Sequence, residues 1–238
     1  MDLHPVSHIS VADAVERQLS AAIVAGTFAQ GRALPAERQL AETLGVNRGA
    51  VREAIQRLAA AGLVQSRQGQ GTIVLDYRRE SGLDLLPSLL LQQGSVHGPT
   101  VRAIAELRAC IGVDAARLAA LRRAEPQAQS LRAALDAYLA AGQGQRQRPA
   151  LRLWEEVVEA SDNLAYRLAF NSLRRCYEPI LDLLGGLLTQ EIEDQAGHVS
   201  MVEAIVAGQP QLAEQHARAL LAQGSAALQA MAEGLEQP

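Results

Sequence analysis

The sequence predicts a mostly α-helical chain in two parts: an N-terminal helix-turn-helix closed by a two-stranded hairpin, then an all-helical C-terminal bundle. Three observations predict it. Two short amphipathic stretches joined at Gly45-Val46 carry outward-facing arginines. Two strand-like runs around Gln68-Gly69-Gln70-Gly71 follow directly. From Thr100 onward nothing reads as strand, aromatics make up 3% of the chain, and its apolar residues are mostly Ala and Leu, a composition that favours helix.

The 238 residues leave room for two modest cores. The expected division is 1–77 for the helix-turn-helix and hairpin, 78–98 for a linker helix, and 99–238 for the bundle. All 22 basic residues are arginine, which excludes Schiff-base lysine chemistry, a P-loop lysine and a pyridoxal-phosphate enzyme. A net charge of −4 means that any binding to nucleic acid must come from a local patch. Between Arg32 and Arg79 eight arginines face only Glu37, Glu42, Glu53 and Asp76, so such a patch exists. Cys110 and Cys176 lack metal-ligand spacing and read as reduced core thiols. With no signal-like N-terminus and no apolar run long enough for a bilayer, a cytoplasmic location and no membrane partner are expected.

Ser10 to about Ala25 places Val11, Ala14, Val15, Leu19, Ile23 and Val24 at mostly helical spacing behind a serine cap. Gly26 to Ala33 reads as a loop. The next helix begins near Ala36, after Pro35 and with Glu37 in its first turn, and buries Leu40, Ala41 and Leu44. Asn47 caps a third helix, whose stripe is Val51, Ala54, Ile55 and Leu58. In a helix-turn-helix the second helix of the pair enters the DNA major groove by its N-terminal residues, here Asn47, Arg48, Gly49, Ala50 and Arg52. A guanidinium fork suits guanine O6 and N7 or phosphate oxygens. Leu63–Arg67 and Thr72–Asp76 are the expected strands of a wing, whose glycine tip can approach a phosphate backbone.

The run PAERQLAETLGVNRGAVREAIQRLAAAGLVQSRQGQGT resembles the N-terminal domain of the GntR family of bacterial transcription regulators. The resemblance covers about the first third of the chain. It implies a winged helix-turn-helix with DNA contacts at Arg38, Asn47, Arg48, Gly49, Ala50, Arg52, Gln68 and Gly69. Asn47 departs from the family's commoner Ser or Thr. ESGLDLLPSLL is similar, less closely, to the linker of the fatty-acid-responsive member of the family's FadR subfamily.

The later stretches Val101–Leu121, Ala128–Ala141, Ala150–Glu159, Asn163–Leu188, Gly197–Ala207 and Gln209–Glu233 read as helices, with breaks at Pro179 and Gly185-Gly186. They are similar to the helical sensor domain of the same branch, which implies an effector cavity lined by Arg108, Trp154, Asn171, Tyr177 and His198. Many branch members hold a divalent metal there, but the corresponding positions in this chain are Leu151, Glu155, His198 and Leu220, so no metal and no cofactor is expected. The resemblance implies a homodimer on a palindromic double-stranded operator, with an acyl-CoA or another anionic, apolar-tailed effector meeting Arg108. The alternative is a small carboxylate or sugar acid. An enzyme is not expected: Cys110, Cys176, His198 and Glu155-Glu156 form no nucleophile-base pattern.

Overall fold

The structure is a computed structural model and describes residues 10–92, 95–178 and 186–236. The chain divides at Ser95–Val96 into two compact units. In the first, α1 (Val11–Val24) opens on a reciprocal cap: the Asp13 N–H donates to Ser10 Oγ at 3.1 Å and the Ser10 N–H to Asp13 Oδ2 at 3.0 Å. Then come α2 (Glu37–Leu44) and α3 (Arg48–Ala60), with Gly45 between them in the left-handed region at φ 66°. That conformation suits a residue without Cβ, and it turns the chain sharply enough for α3 to cross α2.

Val15, Leu19 and Ile23 of α1 meet Leu40 and Ala41 of α2 and Val51, Ala54, Ile55 and Leu58 of α3. Leu58 is fully buried, a burial worth about 1.5–3 kcal/mol. The hairpin pairs β1 (Val64–Arg67) with β2 (Gly71–Val74), from Val64 opposite Val74 to Arg67 opposite Gly71. Its inner face, Val64 and Val74, closes the core. The segment expected as a plain loop also joins the sheet. Ala33 bridges Ile73, and the Leu34 N–H donates to the Thr72 carbonyl at 2.7 Å.

The single helix expected over 78–98 is instead broken. It forms α4 (Tyr77–Glu80), a 3₁₀ turn at Leu83–Leu85 and α5 (Leu86–Leu90), followed by two-residue strands at Leu91–Gln92 and Ser95–Val96. Ser81 and Gly82 take extended backbone and end α4, while Pro87 sits in the first turn of α5, where a missing N–H is harmless.

The second unit comprises α6 (Gly98–Arg122), α7 (Glu125–Ala140), α8 (Gln147–Ala160), α9 (Leu164–Tyr177), α10 (Thr189–Ile192), α11 (Gln195–Val206) and α12 (Pro210–Glu236). Pro99 and Pro126 open α6 and α7 at positions that need no donor. The two longest helices, α6 and α12, pack along small residues: Ala115, Ala116 and Ala119 face Ala213 and Ala217, all fully buried. Gly112 continues that seam, since a Cβ there would stand 2.6 Å from Leu221 Cδ1. Pro179 and Gly185, two of the expected break positions, lie outside the described residues. Cys176 is buried, and burial pushes its thiol up to about 11 against the opposing pull of Arg175. Cys110, expected in the core, is exposed, because it shares a face of α6 with the exposed Ala103 and Glu106, seven and four residues before it.

Candidate nucleic-acid interface and effector cavity

The outer face of α3 is defined by what its inner face buries. Asn47 takes extended backbone and its Oδ1 accepts from the Ala50 N–H at 2.8 Å, fixing where the helix starts. A Cβ on Gly49 would stand 3.1 Å from that same Oδ1, so a larger residue there would press on the cap. Arg48 and Arg52 both point outward and are exposed. Arg48 makes no ion pair or side-chain hydrogen bond among the described residues. Arg52 reaches back to Glu37 on α2, with Nη2 3.1 Å from Oε2, and Arg38 pairs with Glu42 one turn on at 3.3 Å. Both pairs are solvent-exposed and therefore easily exchanged for phosphate oxygens.

Ala50 departs from the expected contact set. It is 8% exposed and packs on the core side, four residues before Ala54 and hence on the same face. Gln68 and Gly69 stand at the exposed hairpin tip, where Gly69 and Gly71 adopt positive φ of 76° and 81°. Arg57, one of the eight arginines of the basic stretch, is not available to a partner outside the chain. It staples α3 to α1 through Asp13 and Glu16, and also holds Glu53 at 2.6 Å. The Asp13 carboxyl is accordingly held below its usual range, by Arg57 first and by Ser10 after it.

In the helical unit two adjoining chambers share Arg108, Leu151, Trp154 and Tyr177 in their walls, with about 70 and 60 Å³ of free volume. α6 brings Arg108, α8 brings Trp154 and Leu151, α9 brings Tyr177, and α11 brings His198. Four of the five residues expected here thus come together. Asn171, on α9, lines neither chamber. The residue that sequence reasoning missed is Glu191 on α10, whose carboxylate is ion-paired with Arg108. A buried arginine needs an anion beside it, and the chain supplies one itself.

Electrostatically the site is closed on itself. Burial works against the Arg108 charge, and Glu191 and Tyr177 more than offset it, so the guanidinium stays charged. Burial pushes the Glu191 carboxyl up, with Arg108 pulling it back, and burial likewise pushes the Tyr177 hydroxyl well above its ordinary range. His198 is lowered by burial, and its Nδ1 lies 2.8 Å from the Asp194 carbonyl. A carbonyl only accepts, so Nδ1 carries the proton and Nε2 is left as a bare acceptor. Tyr138 stacks on this ring at 4.4 Å and donates its hydroxyl to the Ile192 carbonyl at 2.8 Å.

The residues at the subfamily's metal positions do not fit a divalent ion. Leu151 and Leu220 offer no donor, and the two oxygens of Glu155 are taken by Arg174 at 2.6 Å and Arg152 at 2.9 Å.

A helix-turn-helix with a wing, followed by a helical unit that holds a partly open cavity, defines an HTH-type transcription regulator. The chain belongs to the GntR family: the model described as "Bacterial regulatory proteins, gntR family" matches residues 11–74, and the FCD domain matches residues 103–223. It is 39% identical over 232 residues to the HTH-type transcriptional regulator Mce2R of Mycobacterium tuberculosis, covering 97% of each chain. It is 34% identical over 151 residues to the fatty acid metabolism regulator protein of Pasteurella multocida, covering 63% of this chain and 61% of that one. A solved structure, titled for Lar and its control of the Listeria monocytogenes agr system, shares the fold at a TM-score of 0.58 and 15% identity, covering 94% of this chain and 98% of that chain. No helix among the described residues is long and apolar enough to cross a membrane.

Proposed function

We propose that this regulator binds a palindromic DNA operator as a homodimer through the N-terminal half of α3 and the wing tip, and that a ligand in the Arg108 cavity alters that binding. The observation that carries the DNA reading is the exposed Arg48, without a partner among the described residues, beside an easily freed Arg52, on a helix whose opposite face is buried. Asn47, Gly49, Arg38, Gln68 and Gly69 complete the proposed contact surface. Two-fold operators call for two-fold protein. The effector acts only through unequal affinity for the DNA-competent and DNA-incompetent states.

For the effector, an acyl-CoA is the reading we favour over a small carboxylate or sugar acid. The cavity walls include apolar side chains such as Ile111, Leu151, Leu173 and Leu221, which suit a hydrocarbon tail. The name of the Pasteurella relative points the same way. The test is a fluorescence-anisotropy titration against operator DNA selected from a random pool, with and without a long-chain acyl-CoA. The expected outcome is a change in operator affinity of about five-fold or more. Unchanged affinity at saturating acyl-CoA would overturn the acyl-CoA reading, and failure to select any operator would overturn the DNA reading.

A further inference from the structure

Five buried side-chain atoms lack a hydrogen-bond partner among the described residues and belong to side chains lining one chamber: Arg108 Nη1, Trp154 Nε1, Tyr177 Oη, Glu191 Oε2 and His198 Nε2. Buried polar atoms in folded proteins are nearly always satisfied, so a cluster of orphans around one space marks where a ligand's polar atoms belong. The cluster is mixed in kind. Arg108 and Trp154 only donate there, and the Tyr177 hydroxyl can do either. The Glu191 carboxylate and the bare Nε2 of His198 only accept. A ligand that merely accepts, as a carboxylate does, would leave the second set unsatisfied.

Charge points the same way. Of the described residues lining the two chambers, Arg108 and Glu191 are the charged ones, and they are ion-paired; the side chain of Glu191 is 5% exposed and that of Arg108 13%. The cavity therefore carries no net charge to offer an incoming anion, and an anion at Arg108 would sit beside the Glu191 carboxylate in a poorly screened space. Glu191 cannot readily step aside toward α12. It lies so close to Gly224 that a Cβ on that glycine would be 2.0 Å from Oε2.

We infer that the cavity selects an uncharged head group that both accepts and donates hydrogen bonds, such as a carboxamide or a hydroxyl beside an ester or thioester carbonyl, on an apolar chain, and that Glu191 turns free carboxylates away. The inference rests on reading this cavity as the effector site and narrows its ligand class: of an acyl-CoA, the uncharged thioester and amide portion would lie here and the phosphates would not. The head's carbonyl accepts from Arg108 Nη1, Trp154 or Tyr177, its N–H or O–H donates to Glu191 Oε2 or His198 Nε2, and the chain extends along Leu151 and Leu173. Glu191 is thus a specificity-determining residue.

The test is calorimetric titration of the full-length protein, without DNA, with octanamide and octanoate, ligands of equal length and nearly equal shape. The wild-type protein is expected to bind octanamide at least about ten-fold more tightly than octanoate. In Glu191→Gln, which frees the Arg108 charge at constant shape, octanoate affinity is expected to rise by about ten-fold or more and the preference to reverse. Octanoate binding the wild-type protein as tightly as octanamide, neither ligand binding, or a folded Glu191→Gln that keeps the wild-type preference would each overturn the inference. Should Glu191→Gln fail to fold, the wild-type pair of titrations still decides the head-group class. Because operator DNA is absent, loss of an effector effect on DNA leaves this result standing, and the reverse holds equally.

Discussion

Arg52 and Arg108 each hold a glutamate, yet they stand at opposite ends of what a salt bridge can be. The Arg52 side chain is 61% exposed and its partner Glu37 30%; for Arg108 and Glu191 the figures are 13% and 5%. In the first case water screens the attraction and solvates either group on separation, so the pair is worth between nothing and about 1 kcal/mol and can be traded for phosphate. In the second, each charge depends on the other, because separation would strand one in an apolar wall. An arginine's availability is therefore set by its surroundings rather than by its identity: the helix-turn-helix keeps Arg48 and Arg52 in water, and the helical unit withdraws Arg108 and neutralises it.

The widest gap should appear on cutting the buried pair. Glu191→Ala is expected to lower stability by about 3–5 kcal/mol, whereas the double change Arg108→Met with Glu191→Leu should restore it to within about 1.5 kcal/mol of wild type, both read by chemical denaturation. A loss below about 1 kcal/mol for the single change would mean that water already reaches the pair. Gly224→Ala comes next. Glycine to alanine inside a helix normally stabilises by about 1 kcal/mol, but here the new Cβ would meet Glu191 Oε2 at 2.0 Å and Leu188 Cδ2 at 3.0 Å. The sign should reverse to a loss of about 1–3 kcal/mol. Asn47→Ala removes the cap at the head of α3 and should cost about 1 kcal/mol by thermal melting. Smallest is Glu37→Ala, expected to change stability by less than about 0.5 kcal/mol while leaving operator affinity equal or improved, since Arg52 is released. If Glu37→Ala destabilised as much as Glu191→Ala, the contrast between the two pairs would be lost.

What could be read from the sequence was what is local. The stripe Val51, Ala54, Ile55 and Leu58, the Asn47 cap and the Gly45 turn are set by residues three or four apart, and they appear where that spacing puts them. The burial of Ala50 was legible by the same rule, because Ala54 lies one turn on. The features that escaped depend on distant partners. Ala33 joins the wing through Ile73, forty residues away, and Arg108 meets Glu191 across 83 residues. Arg57 looked like part of a basic face because its partners Asp13 and Glu16 come from a different helix. Periodicity assigns a side chain to a face but does not say which charge waits opposite, and that decided which arginines are free.

The central claim, that the exposed face of α3 is the part that meets DNA, is tested most directly by the salt dependence of operator binding in wild type and Arg48→Ala. If Arg48 holds a phosphate, the slope of log K against log salt should flatten by about one and affinity should fall alike on all sequences; if it reads a base, affinity should fall by about 1–3 kcal/mol with discrimination lost at one operator position. Identical affinity, slope and sequence preference in the two proteins would contradict it.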